Sequence, residues 1–344
     1  MTMLNFEEFK VYVENHLKEY LPDDWANVEI NPVQVKKNNG LVLDGLTVKS
    51  EDSNIAPSIY LNGFFMEYKN GGELSRIMDE IADIAISNQG PKEFENIGRD
   101  FKNFDFIKDK VIMVAVNAKE NEELLRDVPH AIGADLAIIY KVMLGESGEG
   151  YGTITIHNDH MNFWGASQEQ LHELALKNTP ELLPAKVQDM REIMIDMFSR
   201  DSELEGAEEI FPDEVYGDSM YVVSNTSKIN GATVMFYPNN VLGRLAEKLD
   251  DDLYILPSSI HETIAIRASG ADPEALAEMV REVNDTQVSE QERLSYHVYH
   301  FDGKSGVLSI ADKAPVEMPT FMVAENQTQY ETQDAAQPRP KRSR

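Results

Sequence analysis

Apolar residues recur at helical spacing at the start of the chain, with Phe6, Phe9, Val13, Leu17 and Tyr20 on one face. Asn5 followed by Glu8 makes a capping box before them, and Pro22 stops the run, so the spacing predicts a helix. The period then shortens to two, from Val28 to Val35 and again from Leu41 to Val48. Asn38, Asn39 and Gly40 lie between these runs, which predicts a β-hairpin. A short apolar run, Ile59 to Leu61, follows Pro57. Leu74, Ile77, Ile81 and Ile84 then form a helical stripe that ends at Gly90 and Pro91. These elements define a first module, residues 1–91.

A second module, residues 92–200, opens with the continuous apolar run Val111 to Val116, long enough for a buried strand, and a short helix at Leu124 and Leu125. Strands Leu136 to Leu144 and Tyr151 to Ile156 flank the glycine-rich turn Gly145 to Gly150. Ser167 and Gln170 form another capping box, ahead of a helix with Leu171, Leu174 and Ala175 on its apolar face. Val187 to Phe198 reads as a helix striped by Met190, Ile193, Met194 and Met197, which is expected to face the core.

Between Asp189 and Asp218 stand eleven carboxylates against Arg191 and Arg200, so residues 201–219 are expected to be a solvated acidic linker or loop. The third module, 220–312, predicts strands at Tyr221–Ser224, Thr233–Tyr237, Leu253–Leu256, Thr263–Arg267, Tyr296–Phe301 and Val307–Ile310. It also predicts a helix at Val241–Leu249 and another opened by Asp272 and Pro273. After Asp312 the periodicity fades, and 313–344 is expected to be a disordered tail with basic residues at its end. Strands and helices in this order define an α+β fold, not a doubly wound dinucleotide fold.

Composition narrows what such a fold does. The chain has 60 acidic and 31 basic side chains, a formal net charge of −29, and no cysteine. That balance argues against direct nucleic-acid binding and against anionic membranes, both of which need clustered Lys and Arg. No cysteine means no disulfide scaffold, thiol nucleophile or thiolate metal site. No apolar run approaches the about 20 residues of a membrane span. Glu7, Glu8 and Glu14 stand where a secretory leader needs a basic and then an apolar stretch. Cytoplasmic residence is the resulting expectation.

Two clusters carry side chains capable of chemistry. His157, Asp159 and His160 offer two imidazoles and a carboxylate, the donor types that hold zinc. Adjacent positions on one loop do not set a coordination geometry, and a polar strand-to-helix connection is the plainer reading. Ser258, Ser259, His261 and Glu262 place hydroxyl, imidazole and carboxylate within five positions. A triad is assembled from distant parts of a fold, and adjacent residues of an extended segment face opposite ways, so a turn followed by a strand is the plainer reading here too. The glycines from Gly145 to Gly152 lack the lysine and following helix of a phosphate loop. No cofactor is expected.

Several segments, taken in order, resemble a bacterial family, domain of unknown function 5688. They include Lys37-Asn38-Asn39-Gly40 before Leu43-Asp44-Gly45-Leu46-Thr47, Ile55-Ala56-Pro57 with Ile59-Tyr60-Leu61-Asn62, and Val116-Asn117-Ala118 with Asn121 and Leu124-Leu125. They continue through Asp135-Leu136-Ala137 with Tyr140, Ala175 with Asn178-Thr179, Met220-Tyr221-Val222 with Asn230-Gly231-Ala232, and Leu256-Pro257-Ser258-Ser259-Ile260-His261-Glu262. The resemblance spans roughly residues 5–312. It implies no reaction, ligand or catalytic residue, but it includes His261 and Glu262 and leaves out His157 and His160.

The first expectation for function is therefore a non-enzymatic binding or adaptor protein with a protein partner; nothing in the pattern specifies an oligomeric state. The alternatives are a hydrolase using His261 and Glu262, with Ser259 as a candidate, and an acidic mimic of nucleic acid that occupies a basic protein.

Overall fold

The computed structural model describes residues 3–25, 27–49, 58–87, 97–147, 150–201, 220–312, 316–317 and 322–323. It is an α+β structure built on three antiparallel sheets. Helix α1 (Phe6–His16) starts at the expected capping box, with both reciprocal bonds between Asn5 and Glu8 formed, and Leu17–Tyr20 tightens into a 3₁₀ turn. Strands β1 (Glu29–Lys36) and β2 (Val42–Lys49) form the predicted hairpin, and β3 (Ser58–Tyr60) adds to β2. Helices α2 (Leu61–Lys69) and α3 (Leu74–Ser87) follow. Phe9, Val13, Leu46, Ile59, Ile77 and Ile81 close a separate core between these helices and the small sheet.

The next elements are the short helices α4 (Ile97–Asp100) and α5 (Phe104–Ile107), then β4 (Val111–Asn117) and α6 (Glu122–Leu125). Strands β5 (His130–Gly133), β6 (Leu136–Ser147) and β7 (Gly150–Thr155) complete a sheet in which β4 pairs along one edge of β6, and β5 and β7 share the other. Both faces of β4 are buried, which is why its sequence is apolar without alternation. Helix α7 (Asn158–Trp164) leads to α8 (Gln168–Leu182), which starts at the expected Ser167/Gln170 box.

Residues 185–189 correct the helix expected from Val187. They form strand β8 (Ala185–Asp189), and helix α9 (Met190–Asp201) begins only afterwards. Pairing with β9 (Tyr221–Asn225), Val187 opposite Val223, overrides the helical pattern here. The boundary expected around 201–219 thus falls between neighbouring strands of one sheet, and residues 202–219 themselves lie outside the described residues. Of the stripe on α9, Met190, Ile193 and Met194 are half-buried and Met197 is 63% exposed, so it does not face the core as expected.

In the remaining chain α10 (Val241–Leu249), β10 (Leu253–Leu256), β11 (Thr263–Arg267), α11 (Pro273–Thr286), β12 (Tyr299–Phe301) and β13 (Leu308–Ile310) follow the expected order. The strand expected at Thr233–Tyr237 is instead a 3₁₀ helix, Gly231–Phe236. Asn230 enters it in the left-handed region at φ 50°, and the Thr233 hydroxyl accepts the Ala115 N–H of β4, so the run is buried by packing without joining a sheet. Two short strands are described beyond Asp312. Strand β14 (Val316–Glu317) adds to β13, and β15 (Met322–Val323) adds to β5 in the other large sheet. The rest of 313–344 lies outside the described residues. One apolar core joins both large sheets, with Tyr140, Val223, Ile255 and Tyr299 among its members.

Candidate functional site

The hairpin tip between β1 and β2 reaches both Asn121 and the segment Glu290–Arg293. Asn39 sits in the left-handed region at φ 59°, a conformation asparagine tolerates because its side chain bonds locally. Its amide nitrogen donates to the Glu290 and Arg293 carbonyls, both at 2.7 Å, and its side-chain oxygen accepts from Asn121 Nδ2 at 2.9 Å. Asn121, 2% exposed, returns its oxygen to the Asn39 N–H at 3.0 Å and gives its amide to the Asn117 carbonyl. Asn117 donates to the Leu294 carbonyl at 2.9 Å, and Asn38 to that of Gln291 at 2.8 Å. Four asparagines thus lock the segment Glu290–Leu294 against the β1–β2 hairpin tip and the end of β4. They act by occupying backbone carbonyls that no strand pairs.

A second tie lies deeper. Asp135, in the β5–β6 turn, accepts the Ser295 hydroxyl at 2.6 Å and the Tyr299 hydroxyl at 2.7 Å. Ser295 and Tyr299 are 1% and 0% exposed. Burial, and then the Asp135 charge, push the Tyr299 phenol well above its usual range, so it stays a donor. Nearby His297 donates through Nδ1 to Asp312 at 2.9 Å.

His261 borders this junction. It lies on a bend between β10 and β11, not on the expected extended run. Ile260 donates its N–H to the Glu292 carbonyl, and Ser259 bridges to Arg293. The His261 ring accepts the Asn230 N–H at Nδ1, 3.4 Å away, and its Nε2 is 3.7 Å from the Glu292 carboxylate. Glu262 is exposed, and among the described residues the carboxylate that approaches His261 is that of Glu292. The Ser259 hydroxyl accepts the His261 backbone N–H, and Ser224 donates to the His261 carbonyl at 2.7 Å. Ser259, His261 and Glu262 are therefore brought together as a turn and not as a nucleophile, base and orienting acid. Gly231 is required there: a Cβ would stand 2.2 Å from Ser224 Oγ and 2.3 Å from the His261 carbonyl oxygen.

The other cluster caps a helix. His157 donates through Nδ1 to Asp127 Oδ2 at 2.7 Å, and its backbone N–H reaches His160 Nδ1 at 3.0 Å, closing the first turn of α7. His160 packs edge-on to Phe101, 4.8 Å between ring centres, while Asp159 faces solvent. Burial, then the neighbouring His157, lower the His160 pKa, against the opposing pull of Asp159 and Asp127. Among the described residues no three His, Asp or Glu side chains come together in a metal-binding arrangement.

A cleft of about 130 Å³ opens at the junction, lined in part by Asn39, Asn117, Glu120, Glu290, Arg293 and Tyr296. Sequence reading placed Asn39 in a turn and gave Asn117, Asn121, Asp135, Ser295 and Tyr299 no role. Their shared signal was only that Asn39, Asn117, Asn121 and Asp135 fall in the segments that carry the family resemblance. Fold and junction together define an α+β protein in which the β1–β2 hairpin tip, the end of β4 and the segment 290–299 are tied together through asparagine and aspartate side chains. The chain belongs to the family of unknown function DUF5688, whose model matches residues 6–303. No curated protein and no solved structure matches it. Among the described residues no helix is long and apolar enough to cross a membrane.

Proposed function

We propose that the chain is a cytoplasmic, non-enzymatic binding protein that acts through contacts with a protein partner. The observation that carries this reading is the use of the junction's polar side chains. Asn38, Asn39, Asn117 and Asn121 bond backbone groups and one another, and Ser295 and Tyr299 are tied to Asp135. Groups held this way position modules. A net charge of −29 favours a basic partner, drawn by long-range attraction.

The test is capture on the immobilised chain from an extract of its native cell at about 0.05 and 0.5 M salt. The expected result is a stoichiometric basic protein retained at low salt and released at high salt. Turnover of a metabolite by the purified chain, with no protein captured at either salt, contradicts the proposal.

A further inference from the structure

On the sheet of β4 to β7, one large apolar side chain stands at the surface beside a buried layer. His130 and Ile132 of β5 lie opposite Ile139 and Ala137 of β6, so all four share a face. Ala137 and Ile139 are 0% and 3% exposed, and Leu125 and Val128 belong to the same layer. Ile132 is 39% exposed, although the backbone edge of β5 pairs there with β15, Met322 opposite Ile132. A cleft of about 450 Å³ opens against it. Ala118 and Leu125 continue the apolar lining, and Lys119, Arg126 and His130 line it as well, with Glu122 the carboxylate among the described lining residues.

Local structure brings these groups together. The Asn117 side-chain oxygen accepts the N–H groups of Lys119 and Glu120, both at 3.0 Å, and turns the chain from β4 into α6, which Arg126 closes. His130 donates through Nδ1 to the Val128 carbonyl at 2.9 Å, which fixes its ring at the start of β5. The charge balance of this cleft runs against that of the chain, which carries −29. The cleft beside α1 has one lysine against three carboxylates, the one at the end of α10 one lysine against four, and the junction cleft one arginine against two. Here two cations face one carboxylate. Among the described residues, the ammonium of Lys119 and the guanidinium of Arg126 have no hydrogen-bond or ion-pair partner. Glu123, on which Arg126 acts from a distance, is already paired with Lys36 at 2.6 Å.

We propose that this cleft binds a small aliphatic monocarboxylate, with the alkyl chain against Ile132 and Ala118 and the carboxylate between Lys119 and Arg126. The planar guanidinium fork matches the two carboxylate oxygens, and the lysine adds a point charge. Covering Ile132 takes from water apolar surface that the fold leaves exposed, and the stems of Lys119 and Arg126 extend the apolar contact. Glu122 selects a single negative charge over a double one, because it repels the second charge of a phosphate monoester. The proposal stands whether or not the protein-partner reading does.

The experiment is calorimetric titration of the full chain at neutral pH and about 0.15 M salt with octanoate, compared with octanol and octyl phosphate. Octanoate is expected to bind one to one, and octanol and octyl phosphate at least about tenfold more weakly. R126Q and I132N are each expected to weaken octanoate binding at least about tenfold, while K186Q, on β8, leaves it unchanged. Circular dichroism checks the fold of each variant. In the native chain, octanoate is expected to slow acetylation of Lys119 and not of the exposed Lys102, which locates the site without a substitution. The proposal is overturned by no saturable heat up to about 2 mM octanoate. It is also overturned by binding that R126Q and I132N leave intact, by octanol or octyl phosphate bound as tightly as octanoate, or by equal protection of Lys102.

Discussion

Replacing Asp135 by alanine isolates the buried contact between the β5–β6 turn and residues 295–299. Its carboxylate accepts two hydroxyl hydrogens, from Ser295 at 2.6 Å and Tyr299 at 2.7 Å, across more than 150 positions of chain. Hydrogen bonds to a charged acceptor contribute about 1.5–3 kcal/mol each. Removing the acceptor also strands the Tyr299 hydroxyl, whose side chain is 0% exposed. Ser295 loses less, because its oxygen still accepts the His297 N–H at 3.0 Å. Together these terms put D135A at about 3–4 kcal/mol less stable than the native chain. Y299F removes one donor and leaves the carboxylate with Ser295, for a loss of about 1.5–3 kcal/mol.

Urea unfolding, followed by circular dichroism and by the fluorescence of Trp25 and Trp164, measures both variants. If the contact is as described, the D135A/Y299F double variant loses less than the sum of the singles, with a coupling of about 1–2 kcal/mol. A loss below about 1 kcal/mol for D135A, or strict additivity in the cycle, refutes the claim that this contact ties the modules.

Two further perturbations test the local geometry. G231A forces a Cβ to 2.2 Å from Ser224 Oγ and 2.3 Å from the His261 carbonyl oxygen. Loss of soluble, folded chain is expected, and S224G should not rescue it because the backbone oxygen remains; recovery of native stability in that double variant would show the packing to be slack. His160 has a folded-state pKa below its ordinary value of 6.5, chiefly from burial. The unfolded chain therefore takes up its proton first on acidification, and stability is full above about 6.5 and declines as pH falls towards the lowered folded value. Protonation at Nδ1 also removes the acceptor for the His157 N–H that starts α7. H160N should flatten the stability profile in that pH window, and an unchanged slope would rule out His160 as its source.

Elements with a local signature were readable along the chain. The Asn5/Glu8 and Ser167/Gln170 boxes, the Asn38–Gly40 hairpin and the Asp272–Pro273 helix start each depend on neighbours within four residues. What escaped was set by partners far away. Residues 185–189 became a strand because β9 offers an unpaired edge, and Gly231–Phe236 stayed out of a sheet because β4, Ser224 and the His261 carbonyl surround it. The junction was unreadable for the same reason. Asn39 meets carbonyls 251 and 254 positions away, and an isolated backbone carbonyl leaves no mark in hydrophobic periodicity. Ser259, His261 and Glu262 looked like chemistry because sequence proximity resembles a site. Their bonds show a turn, and the carboxylate that nears the ring comes from Glu292.

Amide hydrogen exchange of N39A reports whether the asparagine junction holds residues 38–41, 117–121 and 290–295 together. That variant removes three side-chain bonds, to Glu290, Arg293 and Asn121. At about 1 kcal/mol each, opening of the junction should speed roughly hundredfold. A concerted loss of protection at residues 38–41, 117–121 and 290–295 is expected. Faster exchange confined to the hairpin tip, with 117–121 and 290–295 as protected as in the native chain, would contradict it.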